Sequence, residues 1–351
     1  MKNRVLVIGP WSSGHIQKWL GNCNEFDVRI LTCHKFLTKS GYDVRGGFLI
    51  NSFLSFFIFP LFLIYHTLRF KPDILHVHYS ASYGFLSFFM PIKKIVSIWG
   101  TDFNRSIERR YFKHLYIFML RRFTIINSPS ENITRKLICL GIKKENILTL
   151  QYGIDLDFLS KYQEKKNNNI IISSIRNWDD LYQIEELITL WDDISPSGIK
   201  LRIFGKTNDK IKENKIKNLI INSKSDIELI GFLSGELFYS KLSESVAFIS
   251  VPLIDGMPLS VMECLFLKLF PIISDIPANK ELILNEPYFF ISTPIQKTAL
   301  SNCLDIIKSK SFAGDFYSNA EHIANIGDIR KNRETMFNVY KYLISNVKSE
   351  L

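Results

Sequence analysis

Short apolar runs alternate along the chain with segments that are apolar on one side only. Val5–Ile8, Ile170–Ser174 and Phe270–Ser274 are runs of the first kind. Such runs are typical of strands buried in a parallel sheet, whereas a segment such as Glu131–Leu140, which stops at a glycine, is typical of a helix. This alternation predicts an α/β fold with parallel sheets and ligand sites at the carboxyl ends of the strands.

The alternation occurs twice, on either side of the polar, low-complexity stretch Lys161–Asn169, whose composition is typical of a linker. We therefore predict one parallel-sheet domain over residues 1–163 and a second over residues 164–328, with a ligand cleft between them. Within residues 329–351, the segment Arg330–Val347 predicts a final helix that packs back across the first domain. A length of 351 residues and a hydrophobic content of 46% agree with two domains.

The stretch Phe248–Leu265 carries the densest candidate chemistry. An apolar strand leads into a turn that contains Asp255 and Gly256, and then into a helix that bears Glu263. The turn can aim one carboxylate, and the N–H groups at the start of the helix favour a phosphate. An ordinary Asp-Gly turn followed by a first-turn glutamate is the alternative.

Three segments in the first half also end a predicted strand with small or polar residues. The loop after the first strand contains Gly14, where the backbone can approach a phosphate or a sugar closely. His76 and His78 lie two positions apart on a strand and so point to one face. No third ligand accompanies them, and the sequence favours a cleft role for His78 over a metal site. Asp102 fits either a helix N-cap or a catalytic carboxylate.

Positive charge is concentrated in the first half. Residues 1–163 contain 22 Lys and Arg against 10 Asp and Glu, a net charge of +12, whereas residues 164–351 contain 22 against 24. The basic half is expected to meet an anionic partner: a membrane surface, a nucleic acid or a phosphorylated substrate.

Cysteine usage and the N-terminal residues predict the compartment. The five cysteines are scattered without CxxC spacing, which argues against a disulfide framework or a zinc site. The first apolar run has only four residues, which is too short for a signal peptide. We therefore expect a reducing, cytoplasmic environment.

The segment after Asp102 predicts a basic helix. Arg105, Arg109 and Lys113 recur at intervals of four, with Arg110 beside them. Apolar and aromatic residues are interleaved with this stripe, a combination that suits an anionic bilayer surface. The alternative is a solvated helix face over an ordinary core.

Gly46–Leu68 is a Phe-rich stretch of 23 residues without Asp, Glu, Lys or Arg. Its length alone suits a membrane span. Pro60 and several polar residues interrupt it, however, and Lys71–His78 follows as a turn and a buried strand. We therefore predict one or two helices that flank a sheet or contact a membrane rather than a span.

Taken together, these segments resemble the GT-B glycosyltransferases, and specifically glycosyltransferase family 4, over nearly the whole chain. The most specific block is Ser250–Glu281, in which Asp255 and Glu263 match the family's paired acids and Ser274–Pro277 with Glu281 match its following turn. Weaker matches are Gly9–His15, Pro72–His78, Trp99–Asp102, Tyr152–Asp155, Ser174–Arg176 and Gly231–Leu233. The resemblance implies two Rossmann-like domains that face a cleft.

The resemblance also implies residue roles in a retaining transfer from a nucleotide sugar, with no cofactor and no metal. Glu263 is expected to hold the donor's ribose hydroxyls and Asp255 its sugar hydroxyls, while His78 and Asp102 line the acceptor side. The groups expected to face the base are Gly231, Phe232 and Leu233. Those expected to bind the donor or its phosphates are Gly14, Arg176, Lys206, Gly256, Met257, Pro258, Leu259, Ser260 and Val261, of which Arg176, Lys206, Gly14 and Leu259–Val261 would stabilise the diphosphate.

Three positions depart from the family pattern. Asp255 is one methylene shorter than the usual glutamate, Tyr182 stands where a lysine usually pairs with the diphosphate, and Trp99 replaces a frequent histidine. The first departure changes the reach toward the donor sugar. The second leaves more of the phosphate charge to Arg176 and Lys206.

The sequence hypothesis is a cytoplasmic enzyme, associated peripherally with the inner leaflet of the plasma membrane. It would transfer a sugar from a nucleoside-diphosphate donor, UDP rather than GDP, to a lipid-linked, lipopolysaccharide or capsule-type glycan acceptor. A nucleotide-sugar epimerase on the same scaffold and an inactive family member are the alternatives. A nucleic-acid-binding protein would explain the basic half, but no recognition motif is present, so no nucleic-acid partner is expected.

Overall fold

Two compact units make up the structure, a computed structural model that describes residues 2–34, 41–46, 53–163, 169–284, 290–309 and 316–348. The first unit comprises Met1–Gly153 and Ile329–Leu351, and the second comprises Ile154–Asp328. Leu159, on the helix Leu156–Ser160, lies in the core of the second unit, so the chain enters this unit before the predicted linker. Residues 164–168 of that linker lie outside the described part of the chain.

Both units are built on parallel sheets, as the alternating pattern predicts. The described strands are β1 Arg4–Ile8, β2 Asp27–Thr32, β3 Asp43–Gly46, β4 Ile74–His78, β5 Lys94–Ser97, β6 Ile125–Ser128, β7 Ile147–Thr149, β8 Ile170–Ser174, β9 Ile199–Phe204, β10 Ile227–Gly231, β11 Ala247–Ser250, β12 Phe270–Ser274 and β13 Phe290–Ile291. Their orders are β3-β2-β1-β4-β5-β6-β7 and β10-β9-β8-β11-β12-β13. Each sheet therefore has the strand order of a Rossmann fold, with its site expected beside the first strand of the unit.

Helices connect the strands and cover the sheets. The described helices are α1 Gly14–Leu20, α2 Phe53–Phe70, α3 Phe85–Ser87, α4 Thr101–Glu108, α5 Arg110–Leu120, α6 Glu131–Cys139, α7 Leu156–Ser160, α8 Ile184–Ile194, α9 Lys210–Ile221, α10 Gly235–Leu242, α11 Leu259–Phe266, α12 Pro277–Lys280, α13 Lys297–Ser309, α14 Phe316–Gly327 and α15 Ile329–Lys348. A π-helical turn, Ser80–Gly84, follows β4 directly.

The final helix, α15, belongs to the first unit. Arg333 donates to the carbonyl oxygens of Lys18 at 2.8 Å and Trp19 at 3.1 Å, which satisfies the open end of α1. Tyr340 is fully buried, and its hydroxyl bonds Nδ1 of His76 on β4. The helix is thus attached to a strand whose end carries a predicted site residue.

The basic segment forms two helices rather than the single helix that the sequence predicts. Arg109 has an extended conformation (φ −81°, ψ 103°) and separates α4 from α5. Phe103 and Tyr116 are both fully buried. On one continuous helix they would point about 140° apart. The break at Arg109 allows both helices to bury an apolar side, and it interrupts the expected Arg105, Arg109, Lys113 stripe.

The Phe-rich stretch forms one helix, α2, over its described part, while residues 47–52 lie outside the described chain. One side of α2 packs on the core of the first unit through Phe59, Leu63 and Phe70. Among the helices of the described residues, none combines the length and the apolar character required to cross a bilayer. This agrees with the prediction of a flanking helix.

Candidate active site

Arg176 is the central residue of the candidate site in the second unit. It follows β8, and its guanidinium donates to Oδ2 of Asp255 at 2.6 Å and to Oγ of Ser260 at 3.0 Å. Asp255 lies in the loop after β11, and Ser260 lies in the first turn of α11. Because β8 and β11 are neighbours in the sheet, their carboxyl ends bring these three residues into one cluster.

The ion pair between Arg176 and Asp255 is largely withdrawn from solvent, with side chains 10% and 15% exposed. Burial by itself lowers the pKa of Arg176, but the attraction of Asp255 and the hydrogen bonds with Asp255 and Tyr182 outweigh burial and raise that pKa. Arg176 is therefore held as a cation in a fixed orientation, which is what recognition of a diphosphate requires.

Tyr182 covers one side of the guanidinium. The Cζ atom of Arg176 lies 4.3 Å from the centroid of the Tyr182 ring, a cation–π distance. The loop that carries Tyr182 is joined to the Asp255 loop, because Gln183 donates from Nε2 to the Val251 carbonyl at 2.6 Å. The tyrosine thus fixes Arg176 at the position where the family pattern has a second cation.

Lys206 and Phe232 form a second contact at the same edge of the sheet. Nζ of Lys206 lies 3.7 Å from the centroid of the Phe232 ring, and the two residues follow the neighbouring strands β9 and β10. Gly205 has φ +103°, and a Cβ atom on it would stand 2.3 Å from the carbonyl oxygen of Arg176. Glycine is therefore required where the Lys206 loop passes the Arg176 loop.

Glu263 lies on α11 next to Tyr239 of α10. Burial, and then the neighbouring Glu263 carboxylate, raise the pKa of Tyr239. The hydroxyl of Tyr239 also hydrogen-bonds with Glu263. This bond holds the carboxylate in place, and a carboxylate oxygen still has lone pairs for a diol.

The backbone N–H groups around the start of α11 divide into two sets. The Gly256 N–H donates to Oδ1 of Asp255 at 2.8 Å, and the Val261 N–H donates to the Pro258 carbonyl at 3.0 Å. Both were expected to serve a phosphate, and both are already engaged. Within the described chain, the N–H groups of Leu259 and Ser260 have no acceptor, and they remain for an anion beside Arg176.

In the first unit, Asp102 organises two turns. Its Oδ2 accepts from the N–H and the hydroxyl of Ser80, at 2.8 and 2.6 Å, and its Oδ1 accepts from the N–H groups of Trp99 and Gly100, at 2.9 and 3.0 Å. Burial raises the pKa of Asp102, and these bonds partly offset the effect. The helix N-cap is Gly100, so Asp102 is not the cap itself but reaches back from the first turn.

His78 is fully buried at the carboxyl end of β4. Neither of its ring nitrogens has a hydrogen-bond partner among the described residues. Its ring lies 4.2 Å from that of His76, which confirms that the two histidines share a face. Burial, then the proximity of His76 and His15, lower the pKa of His78, so the ring is neutral near pH 7.

Gly14 is the first residue of α1, and a Cβ atom on it would meet no atom within 4 Å. The next residue, His15, places its ring 4.6 Å from Trp99 and 4.7 Å from Tyr152. The first unit therefore brings Gly14, His78 and Asp102 to one edge of its sheet, lined by aromatic rings.

The four residues predicted to face a membrane are accessible to different extents. Arg105, Arg109 and Arg110 are exposed, and Lys113 is half-buried. They lie on both sides of the break between α4 and α5 and do not form one stripe. The neighbouring exposed apolar residues are Tyr111, Leu115 and Phe118.

Four residues that support the site were not predicted: Ser80, Gln183, Tyr239 and Tyr340. The polar residues Tyr79-Ser80 directly after β4 were a usable signal, since polar groups at strand ends face the site. The others reach the site from a turn or from another helix, and no spacing in the sequence marks them. Within the described residues, no group of three or more His, Cys, Asp and Glu side chains has the arrangement of a metal site.

Part of the chain matches a known protein family. Residues 24–158 match the family model described as Glycosyltransferase Family 4. No curated protein sequence gives a significant match to this chain.

Solved structures resemble the whole chain. A glycosyltransferase from Rickettsia africae ESF-5 superposes with a TM-score of 0.77 at 16% identity and covers 98% of this chain and 99% of its own. Anabaena HepE in complex with UDP-glucose gives 0.76 at 12%, with 99% and 100% covered. The lipopolysaccharide outer core galactosyltransferase WaaB gives 0.68 at 12%, with 97% and 99% covered.

The two Rossmann-type sheets and these superpositions show the GT-B fold, and within the first unit the match to the family 4 model is to residues from 24 onward. The chain therefore has the GT-B fold of these glycosyltransferases.

Proposed function

We propose that the protein is a retaining glycosyltransferase that uses a UDP-sugar and acts on a lipid-linked or lipopolysaccharide-type glycan at the cytoplasmic membrane surface. Two structural relatives support this choice of substrates. HepE was solved with UDP-glucose, and WaaB is named as a lipopolysaccharide outer core galactosyltransferase. The proposal depends most directly on the cluster of Arg176, Asp255 and Ser260.

In this proposal Arg176 stabilises the leaving group. Cleavage of the donor's glycosidic bond leaves a nucleoside diphosphate whose negative charge increases in the transition state. The guanidinium and the N–H groups of Leu259 and Ser260 lie together at the carboxyl edge of the sheet, and they donate hydrogen bonds to the phosphate oxygens that carry this charge. Lys206, on its aromatic platform, supplies a further cation at the same edge.

The other donor contacts follow from the same edge of the second sheet. Glu263, held by Tyr239, accepts hydrogen bonds from the ribose hydroxyls. The 55% exposed ring of Phe232, in the Gly231–Leu233 segment, is available to stack on the base. Asp255 keeps one carboxylate oxygen on Arg176 and offers its remaining lone pairs to the sugar hydroxyls.

On the acceptor side, His78 keeps unused hydrogen-bonding capacity, because its ring is neutral and neither nitrogen has a partner among the described residues. It can orient an acceptor hydroxyl without carrying charge. Asp102 contributes by holding the Trp99–Gly100 and Ser80 turns. In retaining transfer by front-face attack the departing phosphate accepts the acceptor's proton, so no separate base is required.

A membrane location is supported by the composition of the first unit's surface. Arg105, Arg109 and Arg110 are exposed, and Tyr111 beside them is 88% exposed. Cations together with exposed aromatic rings favour an anionic bilayer surface.

The experiment that tests the donor is a thermal-shift panel of UDP-, GDP- and ADP-sugars on the wild-type protein, followed by product analysis with the stabilising donor. We expect a UDP-sugar to raise the melting temperature, and Glu263→Gln to lose turnover. A product that retains both nucleotide and an altered sugar would indicate an epimerase. Stabilisation without any turnover, under conditions in which a glycan extract is supplied, would indicate an inactive member.

A further inference from the structure

The outward side of α2 is apolar. Phe57, Leu61, Tyr65 and Leu68 recur at helical spacing and are 63%, 67%, 57% and 71% exposed, while the opposite side packs on the core. A surface helix normally packs one apolar side on the core and presents a polar side to water. The outward side of α2 is apolar as well, so its full exposure to water is unfavourable. This side of α2 is therefore an interaction surface.

A cavity of about 640 Å³ lies at the C-terminal end of α2. Its lining includes four basic residues and two acidic ones: Lys2, Arg4, Arg29, Arg69, Asp27 and Asp43. Arg69 belongs to the last turn of α2 and follows directly on the exposed Leu68. The apolar side of the helix thus leads to a cavity with an excess of positive charge.

The cations of the cavity are only partly neutralised by the protein. Arg29 is paired with Asp43 at 2.7 Å, and Arg4 donates to the Phe70 carbonyl at 2.6 Å. Asp43 also accepts from Arg45 at 2.5 Å, so its carboxylate is shared. Lys2 and Arg69 have no ion-pair partner within the described chain. These two residues remain for an anion.

The cavity is separate from the candidate reaction site. Arg4 and Asp27 begin β1 and β2, so the cavity lies at the amino ends of the strands. His78 and Asp102 lie at the carboxyl ends, on the opposite edge of the same sheet. The donor and acceptor contacts described above therefore do not account for it.

We propose that this cavity binds the phosphate headgroup of an anionic phospholipid while the outward side of α2 lies on the bilayer. The inference rests on the proposed membrane-surface function and gives it a specific lipid site. Apolar side chains beside a cationic cavity match the two parts of a phospholipid, its acyl region and its phosphate. A dissolved phosphate compound would use the cavity but not the exposed side of α2.

The test is cosedimentation of the full-length protein with phosphatidylcholine vesicles, with and without phosphatidylglycerol. Lys2→Ala/Arg69→Ala should weaken binding to the anionic vesicles by about fivefold per lost charge. Leu61→Ser/Leu68→Ser should weaken binding to both kinds of vesicle. The matched controls, Lys210→Ala/Lys224→Ala and Ile211→Ser/Ile221→Ser, change exposed residues of the second unit and should behave as wild type.

Wild-type affinity of Lys2→Ala/Arg69→Ala for anionic vesicles would overturn the inference. So would a double variant that loses thermal stabilisation by inorganic phosphate but keeps vesicle binding, because the cavity would then serve a dissolved phosphate. The donor thermal shift, measured on the same variants, separates this inference from the proposed function. Wild-type donor shifts with lost vesicle binding support the lipid site, whereas an absent donor shift in the wild type contradicts only the glycosyltransferase proposal.

Discussion

Arg176 and Asp255, 79 positions apart in the sequence, form a 2.6 Å ion pair at the adjoining ends of β8 and β11. Each residue is predicted to contact the donor, one at the diphosphate and the other at the sugar. Their pairing means that the arginine proposed to bind the diphosphate is oriented by the residue proposed to recognise the sugar. The shorter aspartate, where the family pattern has glutamate, is long enough for this bond.

Asp255→Asn is expected to separate nucleotide binding from sugar transfer. Removing one charge leaves the buried Arg176 without its counter-ion, which should cost about 3 kcal/mol of the free energy of unfolding. A bound diphosphate replaces the missing charge, so affinity for UDP should persist while turnover of the UDP-sugar falls. Asp255→Glu, which keeps the charge, is the matched control. Urea unfolding and UDP titration of both variants measure the effect, and parallel loss of UDP affinity and turnover would contradict it.

Tyr182→Lys should restore a second cation beside Arg176. The substitution replaces a cation–π contact by like-charge repulsion, so the melting temperature should fall. The same substitution should strengthen UDP binding and make it more sensitive to salt. Tyr182→Phe keeps the ring and loses only the hydroxyl that bonds Arg176, so it should lower the melting temperature less than Tyr182→Lys and leave UDP affinity nearly unchanged. Unchanged UDP affinity in the lysine variant would show that this position does not face the diphosphate.

Gly205→Ala should be far more damaging than Gly231→Ala. Both glycines have positive φ, +103° and +75°, but a Cβ atom would collide with the Arg176 carbonyl only at Gly205. Gly231→Ala should cost about 1 kcal/mol of unfolding free energy, the usual penalty for an L-residue in this region. Gly205→Ala should cost more than about 3 kcal/mol or displace the Arg176 loop. Equal costs, measured by urea unfolding, would mean that the two loops are not in close contact.

Most of the sheet architecture is visible in the sequence because buried parallel strands are continuous apolar runs. Val5–Ile8 and Ile170–Ser174 therefore predict β1 and β8 closely. Asp43–Gly46 lies at the edge of the sheet, where none of its residues is buried, and its sequence contains no apolar run. The strand β3 is therefore not predicted. The break at Arg109 is also missed, because helix spacing continues through it and only the burial of Phe103 and Tyr116 requires it.

The residues of the candidate site that end or follow a strand in the chain were predictable from the sequence. Arg176, Asp255, His78 and Asp102 all occupy such positions. What the sequence does not reveal is the partner of each side chain, because partners come from other strands and helices. The ring of Tyr182 over Arg176 and the four hydrogen bonds to Asp102 are set by tertiary packing, which no periodicity encodes.

The buried histidines predict a loss of stability at acidic pH. Burial lowers the pKa of His76 to about 3, below the value of about 6.5 in an unfolded chain. Above pH 6.5 neither state binds the proton. As the pH falls below 6.5, the unfolded state binds a proton at His76 that the folded state does not bind, so the contribution of His76 to the free energy of unfolding should drop by about 2 kcal/mol between pH 7 and pH 5.

His76→Gln does not titrate and should lose about 2 kcal/mol less over that interval, although it starts from lower stability because the bonds to Tyr340 and Ser97 change. Urea unfolding at the two pH values provides the comparison. An identical pH dependence in wild type and variant would contradict the assignment.

The most direct test of the proposed donor site is a calorimetric titration of UDP into the wild-type protein and into Arg176→Ala. The arginine supplies a charge-assisted donor at a site withdrawn from solvent, so we expect saturable binding to the wild type and an affinity at least about 100-fold lower in the variant. Equal affinities, or a wild-type protein that binds none of UDP, GDP and ADP, would contradict a nucleotide-sugar transferase that works through Arg176.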